Sequence, residues 1–160
     1  MKTGRVTVLL AALLLETAAA TAQKAVFVVR HGEKISNDDE RLTEAGKARG
    51  ERLAKLLGDA DIAAIYSTDT ERTLGTARPL AGARSLEVKI YDKTASLAEK
   101  VREENTRHAV LVVGHSNTVP ELLKALGCSE PVSIAADEYD NLFIVVPTGN
   151  GPAALLRLRY

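Results

Sequence analysis

Ala25-Val26-Phe27-Val28-Val29-Arg30-His31-Gly32-Glu33 is an apolar run that ends on a basic pair and a glycine. Such a run, rich in β-branched residues and closed by glycine, reads as a strand, with Arg30 and His31 at its carboxyl end. A second run, Ala109 to Val113, leads into Gly114-His115-Ser116-Asn117 in the same manner, so His115 also ends a strand. Between these two, short apolar runs alternate with longer amphipathic stretches. That alternation predicts strand-helix-strand units and a mainly parallel sheet.

Thr43 is placed to cap a helix running to about Leu57, with apolar residues Ala45, Ala48, Leu53, Leu56 and Leu57 at helical spacing and Gly58 as a stop. Ile62 to Tyr66 and Leu86 to Tyr91 read as further strands. A helix is expected from about Thr70 to Ala81, kinked or shortened by Pro79. Another is expected from about Ser96 to Asn105, and a fourth near Pro120 to Leu126, whose proline falls early enough to be harmless. Past Gly127, Leu142 to Val146 and Ala154 to Arg159 flank Pro147-Thr148-Gly149-Asn150-Gly151-Pro152, a hairpin signal. The expectation is a three-layer α/β/α sandwich with a mostly parallel sheet and an antiparallel element near the C-terminus.

The 160 residues suit one domain. Basic Lys2 and Arg5, an apolar run from Val6 to Leu15, and small residues through Ala20-Thr21-Ala22 have the layout of a secretory signal peptide over residues 1–22. Cleavage before Gln23 would leave a domain over 23–160, in the periplasm or outside the cell and with no remaining membrane attachment. Lys plus Arg and Asp plus Glu both number 21, so no broad basic surface invites nucleic acid. Any anion site must be local. The single cysteine, Cys128, has no partner for an internal disulfide and reads as a small buried hydrophobe. Nothing in the chain signals an oligomeric state.

Two histidines at the carboxyl ends of strands face the same edge of the sheet, the edge where ligands bind in open parallel sheets. Arg72, after the second strand, reaches that edge too, and Gly32 and Gly114 beside the histidines allow close approach of ligand or backbone. His108 begins its strand and so belongs at the opposite edge, as a structural or exposed residue.

Arg30-His31-Gly32-Glu33, Leu42-Thr43-Glu44-Ala45-Gly46, Arg72 with Thr76-Ala77, and Gly114-His115 together resemble the histidine phosphatase superfamily, in family order across most of the chain. Lacking a large insertion, the chain is similar to the compact branch, with its phosphoglycerate mutase-like fold and small phosphohistidine phosphatases. The resemblance implies that neutral His31 attacks phosphorus, while Arg30, Arg72 and His115 grip the phosphoryl oxygens; Asn37, six residues after His31, is carried over as a further phosphate contact. These are suitable groups: guanidinium forks match phosphate, and phosphoryl transfer rewards positioning and charge stabilisation. His115 adds a third cation if protonated. The reaction implied is hydrolysis of a small phosphorylated substrate through a phosphohistidine, with no metal and no cofactor.

The leaving group's proton donor is the weak point. Where the family holds a Glu after the third strand, this chain has Tyr91-Asp92, so Asp92 is the first candidate, provided burial keeps it protonated. Glu33, Asp137 and Glu138 compete with it. Two other classes of function are weighed: a non-catalytic binder of phosphate or a phosphorylated ligand, and a metal site on His31 and His115. Adjacent arginines and the lack of an ordered Cys or carboxylate set disfavour the metal. Within the family, mutase and phosphohistidine phosphatase activities are the alternatives.

Overall fold

A computed structural model describes residues 25–36, 38–103, 108–148 and 151–160. The expected leader (residues 1–22) and Asn37 lie outside the described residues.

In chain order the elements are β1 (Val26–Arg30), α1 (Glu44–Leu56), β2 (Ile62–Ser67), α2 (Glu71–Arg84), β3 (Val88–Ile90), α3 (Thr94–Glu103), β4 (Ala109–Gly114), α4 (Thr118–Ala125), β5 (Asn141–Val146) and β6 (Ala154–Arg159). The strands form one sheet in the order β3-β2-β4-β1-β5-β6. β1 to β4 are mutually parallel, whereas β5 runs antiparallel to β1, and β6 to β5. This is the expected three-layer sandwich with an antiparallel C-terminal hairpin.

Strand alternation builds the two sides of the core. Val28, Tyr66, Val112 and Phe143 meet Leu97, Val101 and Leu122 of α3 and α4 on one face. Val29, Ile65, Leu111 and Val113 meet Leu53 of α1 and Ala77 and Leu80 of α2 on the other. β4 lies in the interior of the sheet and is buried throughout, which explains its continuous Ala-Val-Leu-Val-Val run. Cys128 is buried as a free thiol in the α3–α4 side of the core.

α1 starts as expected: Thr43 Oγ1 accepts the Gly46 N–H at 3.1 Å, satisfying one of the orphan donors of the first turn. Other details differ from expectation. α2 does not stop near Ala81 but runs through Pro79 to Arg84. Its buried face, Thr76, Ala77, Leu80 and Ala81, spans the proline, and Arg84 anchors the far end by donating to the Gly58 and Ile62 carbonyls. Packing overrides the roughly 3 kcal/mol local cost of an interior proline. β3 is shorter than the expected Leu86–Tyr91, because the Leu86 N–H is spent on the Ala81 carbonyl at the end of α2. α3 begins at Thr94, two residues earlier than expected.

Candidate functional site

The parallel β1 and β4 end side by side, Arg30 opposite Gly114, and the His31 N–H extends the ladder by donating to the Gly114 carbonyl at 2.9 Å. That single bond sets His31 beside His115. Their rings lie 5.3 Å apart in an edge-on arrangement.

His31 is 4% exposed. Its Nδ1 lies 2.7 Å from the Gly32 carbonyl, an oxygen that can only accept, so Nδ1 carries the hydrogen and Nε2 keeps its lone pair. Burial, aided by the nearby His115, Arg30 and Arg72, lowers its pKa from 6.5 to about 4. At neutral pH the ring is therefore an uncharged base with a fixed tautomer, the state required of a nitrogen nucleophile.

The loop carrying His31 is clamped to α1 and α2. The Gly32 N–H donates to Thr76 Oγ1 at 2.8 Å, and the same hydroxyl donates to the Arg72 carbonyl at 2.8 Å. A β-carbon on Gly32 would lie 2.7 Å from the Gly46 carbonyl, and one on Gly46 only 2.3 Å from that of Glu33. Glycine at both positions lets the backbones touch. Gly114 is equally hemmed in, by the Thr118 and Tyr91 hydroxyls.

Arg30 is buried and pinned. Its Nη1 donates to the carbonyls of Ala135, Ala136 and Glu138 at 2.9, 2.9 and 3.0 Å, and its guanidinium lies 4.0 Å from the centre of the Tyr139 ring. Arg72, on the first turn of α2, donates through Nη2 to His115 Nδ1 at 3.4 Å and pairs through Nη1 with Glu40. The Nε atoms of both arginines are buried and have no hydrogen-bond partner among the described residues. Orphaned buried donors on two cations close enough to His31 to lower its pKa suit an oxyanion.

His115 differs from the sequence expectation of a third cation. Burial, then the charge of Arg72, lowers its pKa to about 4, against a smaller opposing effect of Glu40, so it is neutral at neutral pH. Since Arg72 can only donate, His115 Nδ1 accepts and Nε2–H points to Thr68 Oγ1, 2.8 Å away.

The candidate acids scatter. Glu33 forms an ion pair with Arg49, at 2.9 Å from Nε, which holds its carboxyl below the usual range and turns it into a strut between the His31 loop and α1. Glu138 accepts the Ala135 N–H and pairs with Arg157 and Arg159 of β6; the backbone bond first, then Arg159, lowers its pKa. Asp137 is exposed on the loop that pins Arg30. Asp92 is exposed as well, and lines a cavity of about 250 Å³ with Tyr66, Tyr91, Lys93 and Lys100 that none of Arg30, His31, Arg72 and His115 lines. His108 is exposed at the start of β4 and meets Asp61 at 2.7 Å, on the edge away from the site. Among the described residues no group of three or more His, Cys, Asp and Glu is placed to hold a metal ion.

Sequence reasoning passed over Thr68, Tyr139 and Glu40. None of the three stands in a motif, and each reaches the site only through a contact made by the fold. Thr76 was marked only as part of a motif.

Comparison with known proteins supports the same grouping. The family model for the histidine phosphatase superfamily (branch 1) matches residues 26–95. The mitochondrial serine/threonine-protein phosphatase Pgam5 of Caenorhabditis briggsae is 36% identical over 64 residues, which cover 39% of this chain and only 23% of that protein. The fold is shared with the protein histidine phosphatase SixA, solved with tungstate (TM-score 0.67, 18% identity, 84% of this chain and 96% of that one). It is also shared with a phosphoserine phosphatase from Entamoeba histolytica (TM-score 0.63, 15% identity, 86% and 97%). Ordered motifs, the family model over residues 26–95 and the shared fold agree in likening the chain to the histidine phosphatase superfamily.

Proposed function

We propose that this protein is a metal-independent phosphatase that works through a phosphohistidine on His31. The observation that carries the reading is the pair of buried Nε donors of Arg30 and Arg72, unpartnered among the described residues and close to a neutral histidine of fixed tautomer. Phosphoryl oxygens satisfy those donors, and the two guanidinium charges offset the charge of the phosphoryl group without a metal. His31 Nε2 attacks phosphorus in line, the bond to the leaving oxygen breaks, and water then attacks the phosphohistidine to release phosphate and restore the ring. The Gly32 carbonyl, held by Nδ1–H, steadies the positive charge that builds on the imidazole. Uncharged in the free protein, His115 directs no proton at Arg72 and leaves the anion to the arginines.

The substrate class is a small phosphorylated compound, either an ester or a compound with a more labile phosphoryl bond. The basic, apolar and small-residue layout of residues 1–22 supports an exported enzyme working in the periplasm or outside the cell. A silent binder of phosphate has the same grip, but it needs neither the fixed tautomer nor the suppressed charge of His31.

Turnover of a chromogenic phosphate ester in excess chelator, abolished in His31→Ala, is the expected result. A rapid quench should trap acid-labile, base-stable label on His31. Phosphate binding without turnover would establish the binder, and loss of activity on chelation would overturn the metal-free mechanism.

A further inference from the structure

Glu40 holds a position that no other described carboxylate shares. Among the described residues it is the only acid bonded to a side chain of the anion cradle, pairing with Nη1 of Arg72. Glu33 and Glu138 are committed to arginines elsewhere, and Asp92 lines a separate cavity.

Arg72 runs from the floor of the site to its mouth. Its Nε is buried with no partner among the described residues, its Nη2 meets His115, and its Nη1 meets a Glu40 side chain that is 46% exposed. His31, at 4% exposure, forms the floor. In-line attack from the floor puts the leaving oxygen on the far side of phosphorus, toward solvent. Glu40, half exposed, is bonded to the same guanidinium that the phosphoryl group would use, which joins its carboxyl to the cradle from solvent.

Resting on the phosphatase reading above, we propose that Glu40 is the general acid and base of the reaction. A phosphate dianion arriving on Arg72 takes the place of the Glu40 carboxylate on that guanidinium, and the reacting complex is the one in which Glu40 carries a proton taken from solvent. As His31 Nε2 bonds to phosphorus, the P–O electron pair moves to the leaving oxygen, which takes the Glu40 proton and departs as the alcohol. Glu40, now a carboxylate, accepts a proton from the incoming water as its oxygen bonds to phosphorus and the N–P pair returns to His31. Charge and atoms balance, and Glu40 ends protonated as it began the cycle.

The test compares Glu40→Gln with the unmodified protein on two esters, an aryl phosphate whose phenolate leaves readily and an alkyl phosphate whose alkoxide does not. A proton donor matters in proportion to the leaving group's need. The expected result is about a 100-fold or greater loss of kcat on the alkyl ester and only a few-fold loss on the aryl ester, with partial recovery in Glu40→Asp. Equal losses on both esters would make Glu40 a mere positioner of Arg72 and overturn the proposal. So would undiminished kcat with tighter inhibition by inorganic phosphate, the mark of a simple competitor for Arg72. Absence of turnover and of His31 label in the unmodified protein would sink the phosphatase reading itself, a failure distinct from either of these.

Discussion

Replacing His31 by Asn should make the protein more resistant to acid. In the native state the His31 pKa is about 4 against an ordinary 6.5, chiefly because burial penalises the cation. The unfolded chain therefore binds a proton between those values while the folded one does not, so stability falls as pH drops through this window and levels off below it. Taking 6.5 for the unfolded state, the destabilisation at pH 5 is RT ln[(1 + 10^1.5)/(1 + 10^−1)], about 2 kcal/mol, and it is close to zero at pH 7.5. At pH 5 His115 is also neutral in the fold, so repulsion between the two imidazoles does not enter. Asn can still donate toward the Gly32 carbonyl while removing the titrating ring. Urea unfolding of both proteins at pH 7.5 and pH 5 measures the difference, and carboxylate effects cancel between them. The variant should lose about 2 kcal/mol less than the parent on acidification, near 1 M in midpoint for an m-value of about 2 kcal/mol/M. Parallel losses would mean that His31 titrates normally and that the neutral-nucleophile argument is wrong.

Gly46→Ala would drive a methyl to 2.3 Å from the Glu33 carbonyl, so thermal unfolding should report a loss of about 1–3 kcal/mol, with kcat falling as the His31 loop shifts. Thr76→Val keeps the volume but strands the Gly32 N–H, and denaturant titration should show a cost of about 1–3 kcal/mol. Arg30→Lys cannot reproduce both the three-carbonyl anchor and the stack on Tyr139; calorimetric binding of inorganic phosphate should weaken at least about tenfold, while Lys89→Ala on the exposed edge strand changes it little.

The fold was legible because its signals are periodic. A buried parallel strand is a continuous apolar run, and β1, β2 and β4 each carry one, whereas the short edge strand β3 does not. Pro79 misled because a local rule was set against a packed face that only the sandwich supplies, and Leu86 because a helix end claimed its N–H. In the site, Arg30, His31 and His115 could be placed from strand ends, and Arg72 from its place in the helix that follows β2. Their charge states could not be, since the lowered pKa of His115 depends on burial and on Arg72 approaching from another segment. Thr68 and Tyr139 act through contacts across 47 residues and more, which leave no trace in local spacing. Asp92 was favoured by its place after β3, yet the cavity it lines is set by β2 and α3 as well as by its neighbours in the chain.

The three carbonyls gripping Arg30 lie 105 to 108 residues downstream of it. Loops of that span close late and add to contact order, so the cradle gains its geometry only once the final hairpin docks beside β1. Partly folded chains therefore carry His31 without a competent anion seat. On the proposed reading, phosphate should bind the finished molecule in preference to its precursors and raise its melting temperature by mass action. A phosphate-dependent thermal shift, lost in Arg30→Lys, thus reports the completion of folding as well as occupancy of the site.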